Sequence, residues 1–176
     1  LGELTVKVLS QRRMIHGAKM SFPCFNSLIF ELPNRAKHIH STFGAMMNDV
    51  DFMQRALELA EMGKGYTAPN PLVGCVIACD GSIIGEGFHH KSGEAHAEVN
   101  AIHSVKDKDA LKRSDLFVTL EPCAHHGKTP PCVDLIIEMG IPRVVICNSD
   151  PFESVNGKGI EQLQKWDSAY YSEKLK

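Results

Sequence analysis

Apolar positions become periodic only after residue 48. From there Met53, Ala56, Leu57 and Ala60 recur at helical spacing, while Gln54, Arg55, Glu58 and Glu61 fill the opposite face. Asn48 is a good N-cap, Asp49 and Asp51 suit the positive end of a helix, and Gly63 or Gly65 stops it. The segment Ala68-Pro69-Asn70-Pro71 has too much proline for a helix or a central strand. An apolar run over 72–78, the turn pair Asp80-Gly81 and a second run over 82–88 predict a β-hairpin. Helical spacing returns over 95–105, and 116–120 reads as a buried strand. Cys132, Leu135, Ile136 and Met139 share one face of a further helix ended by Gly140. A strand over 143–147 and a short helix over 159–165 complete the pattern. This order is α/β: a mixed sheet covered by helices. There is no internal repeat and no low-complexity tract.

Residues 1–47 lack such periodicity and differ in charge. They hold Lys7, Arg12, Arg13, Lys19, Arg35 and Lys37 against Glu3 and Glu31, a balance of +4; the remainder carries −6, since the whole chain is −2. Arg and Ser with few acids resemble an organellar transit peptide, but upstream sequence joined to a domain that starts at Met46 or Met47 is the simpler account. Residues 1–47 are therefore expected to be a leader outside the folded domain, 48–165 the domain, and 166–176 a tail. The interruptions Pro23, Asn26 and Ser27 speak against a secretory signal.

With 176 residues, 43% of them hydrophobic, one ordinary globular domain is expected. The charge balance disfavours nucleic-acid binding driven by bulk electrostatics, and no stretch approaches the roughly 20 apolar residues of a membrane span. Six cysteines in a chain of this length fit a reducing, cytoplasmic setting, with thiols serving as metal ligands or core residues. Cys75, Cys79 and Cys147 lie in apolar strands and read as core; Cys24 carries no assignment.

The chemistry concentrates at His96-Ala97-Glu98, Pro122-Cys123 and Cys132. One imidazole and two thiolates are the ligand set of a catalytic zinc, which keeps a fourth position open for water. Water at zinc loses a proton near neutral pH. Glu98, two residues from His96, is then a general acid/base and not a fourth ligand. Pro130-Pro131 can open a helix, which places Cys132 in a first turn where the helix dipole favours thiolate. Zinc deaminases use H-x-E with P-C-x-x-C; here the second gap is eight residues, not two.

The longer gap has a counterpart. Three segments together resemble the pyrimidine deaminase domain of the bifunctional riboflavin-biosynthesis deaminase/reductase family. They are Thr67-Ala68-Pro69-Asn70-Pro71-Leu72-Val73-Gly74-Cys75, Gly93-Glu94-Ala95-His96-Ala97-Glu98, and the run from Glu121-Pro122-Cys123 through His125-His126-Gly127-Lys128-Thr129 to Pro130-Pro131-Cys132. The resemblance runs from about Phe52 to about Gln164 and implies a cytidine-deaminase-like, three-layer α/β/α sandwich with a central mixed sheet. It also implies one Zn2+ held by His96, Cys123 and Cys132, with Glu98 as catalytic proton carrier. Asn70, His89, His125 and Lys128 match its substrate-binding positions. Lys128 with His125 and His126 makes a cationic rim suited to a phosphate.

The reaction implied is hydrolytic deamination of 2,5-diamino-6-ribosylamino-4(3H)-pyrimidinone 5′-phosphate in riboflavin biosynthesis. The expected partner is that small phosphorylated pyrimidine, with no nucleic acid and no membrane; a homo-oligomer is left open. The reductase domain of the family is expected to be absent from this chain. Two alternatives are weighed beside this reading. One is another deaminase of the superfamily, acting on cytidine, guanine or a tRNA adenosine; a domain charge of −6 suits a tRNA poorly. The other is a non-catalytic zinc module, which requires a fourth protein ligand. His90, His103 and His126 read as surface residues, and Gly85-Glu86-Gly87 as a strand bend.

Overall fold

The computed structural model describes residues 5–8, 47–126, 130–151 and 157–174. Helix α1, Asp49–Glu61, begins at Asn48 with a full capping box: the Asn48 side chain accepts from the N–H of Val50 and Asp51, and the Asp51 carboxylate accepts from the N–H of Asn48. Its buried face is Phe52, Met53, Ala56, Leu59 and Ala60. Leu57, expected on that face, is half-buried, and Phe52 and Leu59 take its place. The apolar stripe is wider than the spacing read from four residues.

Strands β2 (Gly74–Cys79) and β3 (Ser82–Phe88) form the expected hairpin. Asp80 and Gly81 both have positive φ, the conformation a two-residue hairpin turn needs. The register slips between Ile77 and Ala78, so that Ile77 faces Gly85 and Ala78 faces Ile83. The slip therefore falls at Ile84, whereas Gly85-Glu86-Gly87, expected to bend, pair in regular register with Ile77, Val76 and Cys75; the glycines have another purpose. A Cβ on Gly87 would lie 2.3 Å from the Ala101 nitrogen and 2.5 Å from the Ala97 carbonyl oxygen, so glycine lets helix α2, Ala97–Ser104, lie directly on β3. Gly74 does the same for α1, where a Cβ would meet the Ala56 carbonyl oxygen at 2.0 Å.

A 3-10 turn over Lys108–Arg113, not expected from the pattern, leads into β4, Asp115–Leu120. Helix α3 (Cys132–Glu138), strand β5 (Arg143–Asn148) and helix α4 (Lys158–Lys174) follow. Strand β1, Thr5–Val8, lies parallel to β5 and completes a sheet of order β1-β5-β4-β2-β3. The expectation that residues 1–47 stand outside the fold thus differs at these four. An alternating Thr-Val-Lys-Val is too short to register as a periodic pattern, yet the unpaired edge of β5 is a template for it. Likewise, the last helix runs through most of the expected tail. Beyond Lys165 it passes through Trp166, Ala169, Tyr170 and Tyr171, apolar positions that continue the spacing begun at Ile160 and Leu163.

β2 is antiparallel to β3 and β4, whereas β4, β5 and β1 are parallel, so the sheet is mixed. Its two faces carry separate cores. Cys75, Ile77, Leu116, Val118, Val144 and Ile146 pack under α2, α3 and α4, and Val76, Ala78, Phe117, Val145 and Cys147 pack under α1. Period-2 alternation in β2, β4 and β5 thus feeds two helical layers. The fold is a three-layer α/β/α sandwich. Arg143 on β5 locks α1 to two strands through Asp49 and Asp115, and Arg55 ties α1 to β3 through a bidentate pair with Glu86 at 2.7 and 3.1 Å. No helix among the described residues is long and apolar enough to cross a membrane.

Candidate active site

Two helix starts and one strand end converge. His96 is the N-cap of α2, and Glu98 lies in that helix's first turn. Cys132 is the first residue of α3, directly after Pro131. Cys123 follows the end of β4. Parallel strands in open α/β sheets present their ligand sites at their carboxyl ends, and this site lies beyond the ends of β4 and β5.

One donor atom each from His96, Cys123 and Cys132 lies within 4.8 Å of the others. His96 Nδ1 is 3.6 Å from Cys123 Sγ and 3.3 Å from Cys132 Sγ. For tetrahedral zinc with Zn–S of about 2.3 Å and Zn–N of about 2.0–2.1 Å, the N···S edge is about 3.5 Å. The donor set fits that ion in both distance and type. The backbone N–H of Cys132 donates to Cys123 Sγ at 3.3 Å, so the start of α3 also stabilises negative charge on the neighbouring sulfur.

The thiol of Cys132 donates to Cys123, which draws Cys123 below the ordinary thiol range and holds Cys132 above it. The same thiolate raises the His96 imidazole. Glu98 is 3% exposed, and burial pushes its carboxyl up to about 7. A carboxyl buried beside a metal-type donor set, and lining the same pocket, has the placement of a proton carrier.

The pocket, of about 220 Å³, is lined by Asn70, Pro71, Val73, His89, His96, Ala97, Glu98, Leu120, Glu121, Cys123, His125 and Asp150. It is smaller than the 300–1,000 Å³ typical of drug-sized sites, and so encloses a ring and not a whole nucleotide. His89 is 3% exposed and its tautomer is determined by its neighbours. Its Nδ1 faces the Ala95 carbonyl oxygen at 3.1 Å and must donate; its Nε2 therefore accepts from Asn70 Nδ2, also at 3.1 Å. That contact orients the Asn70 amide and leaves its oxygen as an acceptor.

The structure thus brings seven of the eight expected residues together: the three ligands, Glu98, Asn70, His89 and His125. Lys128 lies outside the described residues. His90 stacks on Phe88, His103 is exposed, and His126 approaches Asp134 at 3.8 Å. Sequence reasoning missed Glu121, Asp150 and the apolar walls Val73 and Leu120. Glu121 carried a signal, since it is an acid that ends an apolar strand directly before Pro122-Cys123.

Residues 46–148 match the family model described as the cytidine and deoxycytidylate deaminase zinc-binding region, and the chain belongs to that family. Within it, the chain is 50% identical over 119 residues to the diaminohydroxyphosphoribosylamino-pyrimidine deaminase of Buchnera aphidicola subsp. Acyrthosiphon pisum, covering 68% of this chain and 80% of the relative. It therefore groups with those deaminases. It is 53% identical over 119 residues to the riboflavin biosynthesis protein RibD of Actinobacillus pleuropneumoniae, covering 68% of this chain and 31% of that protein. The crystal structure of the diaminohydroxyphosphoribosylaminopyrimidine deaminase/5-amino-6-(5-phosphoribosylamino)uracil reductase from Thermotoga maritima is similar at a TM-score of 0.63 and 52% identity, covering 68% of this chain and 34% of that one. The chain spans about a third of the length of the RibD proteins it matches.

Proposed function

We propose that this chain is a zinc-dependent hydrolytic deaminase of 2,5-diamino-6-ribosylamino-4(3H)-pyrimidinone 5′-phosphate. The products are 5-amino-6-(5-phosphoribosylamino)uracil and ammonia, a step of riboflavin biosynthesis. The observation that carries the reading is the convergence of the His96, Cys123 and Cys132 donors in one pocket with the buried Glu98 carboxyl. Identity of 50% to a deaminase of that name, over most of its length, supports the substrate.

Zinc, when bound by His96, Cys123 and Cys132, supplies the Lewis acidity that makes water nucleophilic near neutral pH. Glu98 takes the proton from the attacking water and passes it to the ring nitrogen beside the amine-bearing carbon. Glu98 then takes the proton from the hydroxyl now on that carbon and gives it to the amine, so that the C–N bond breaks, ammonia leaves and the carbon becomes a carbonyl. Asn70, oriented by His89, presents its amide oxygen to a donor on the pyrimidinone edge. His125, exposed at the pocket wall, and Lys128 receive the ribose phosphate outside the ring-sized cavity. The same reading includes a cytoplasmic location.

Ammonia release from the purified chain tests the substrate. Turnover is expected with the pyrimidinone phosphate and not with cytidine or an RNA hairpin. Faster release from cytidine would overturn the assignment.

A further inference from the structure

Glu121 takes no part in the chemistry above, yet its carboxylate is one of the most heavily engaged groups in the molecule. It is 4% exposed and accepts from four backbone N–H groups. Oε2 receives Asp150 at 3.2 Å and Gly157 at 3.0 Å; Oε1 receives Gly159 at 2.9 Å and Ile160 at 3.4 Å. These donors belong to Asp150, two residues past β5, and to the opening of α4. A helix N-terminus attracts an anion through its unpaired N–H groups and its dipole. Here the anion is built into the chain, one residue before Pro122 and two before Cys123.

The packing around it is equally close. A Cβ on Gly159 would lie 2.1 Å from the Pro122 carbonyl oxygen and within 3.3 Å of the Glu121 side chain. The start of α4 is therefore pressed onto the peptide that leads to Cys123, with glycine as the residue that permits it. Asp150 and Glu121 both line the pocket, so the groups held by the carboxylate form part of its wall.

We infer that Glu121 is a positioning residue of the pocket. Its carboxylate clamps Asp150 and the first turn of α4 against the end of β4, and so holds the wall that receives substrate while leaving the proton carrier and the metal donors alone. The inference rests on the proposed deaminase activity for its kinetic consequence, and on geometry alone for the clamp.

The test is Glu121→Gln beside Glu121→Asp, measured by metal content, amide hydrogen exchange and steady-state deamination on the zinc-loaded chain. Gln turns one acceptor into a donor that faces N–H groups. Exchange at Gly157 and Gly159 is then expected to quicken at least tenfold. KM for the pyrimidinone phosphate should rise at least tenfold, with kcat within threefold of wild type and about one zinc retained per chain. Glu121→Asp keeps the charge and should restore KM most of the way. Unchanged exchange at both glycines would remove the clamp, whatever the activity of the chain. Faster exchange with unchanged KM would make Glu121 a purely structural residue and overturn the positioning role. If Glu121→Gln does not fold, Glu121→Asp decides alone: normal KM together with loosened exchange would equally overturn the inference. A wild-type chain without deaminase activity would sink the functional reading and leave the exchange arm to judge the clamp.

Discussion

At the scale of single residues, the proposed mechanism separates groups that hold from the one that transfers protons. Glu98→Gln keeps the size and hydrogen bonding of the side chain and removes the base. Because general acid–base catalysis is worth roughly 10²–10⁴-fold and Glu98 acts in more than one transfer, kcat is expected to fall by at least the upper figure. Zinc content should stay near that of wild type, since Glu98 lies outside the donor set. Near-normal kcat would remove the proton-carrier role. Cys132→Ser acts on the other side of this division. It leaves two of the three donors, so elemental analysis should show zinc well below one per chain. The thermal midpoint should fall as well, because metal binding couples to folding.

Single elements matter through what they bring together. α1 contributes no donor to the site, yet it covers one face of the sheet and is tied to β3 by Arg55 and Glu86. The Arg55 guanidinium, by its hydrogen bond, holds the Glu86 carboxyl below the ordinary carboxylate range. A carboxylate depressed in the folded state stabilises the fold above its unfolded value. That stabilisation is lost as pH falls through the folded value. Wild type is therefore expected to lose stability below about pH 4.5 more steeply than Glu86→Gln. Urea midpoints measured from pH 6 to pH 3 check this. Salt should reduce the difference, since both side chains are about one-third exposed.

For the molecule as a whole, every described site residue lies on or between elements that follow Asn48, and β1 pairs only at the outer edge of β5. Removing residues 1–45 is therefore expected to preserve zinc content and turnover while lowering the thermal midpoint by a few degrees, through loss of an edge strand. Zinc analysis, steady-state deamination and a melting curve on the truncated chain check this together. Activity that collapses with zinc still bound would show that the segment shapes the site.

Much was legible in the order of residues because its causes are local. The Asn48 cap, the Asp80-Gly81 hairpin turn and the apolar runs of β2, β4 and β5 arise between near neighbours. The donor set was legible too, because a His and a Cys at two helix starts, a second Cys just past a strand and an acid two residues from the His have few other reasons to occur together. What the chain alone did not reveal depends on partners distant in sequence. Thr5–Val8 becomes a strand because β5 offers an edge, and Gly87 is glycine because α2 lies on it. Glu121 has one meaning as an acid after an apolar strand and another when four N–H groups from beyond residue 149 close around it. Periodicity and spacing record which face a residue presents; only the folded chain determines what that face meets.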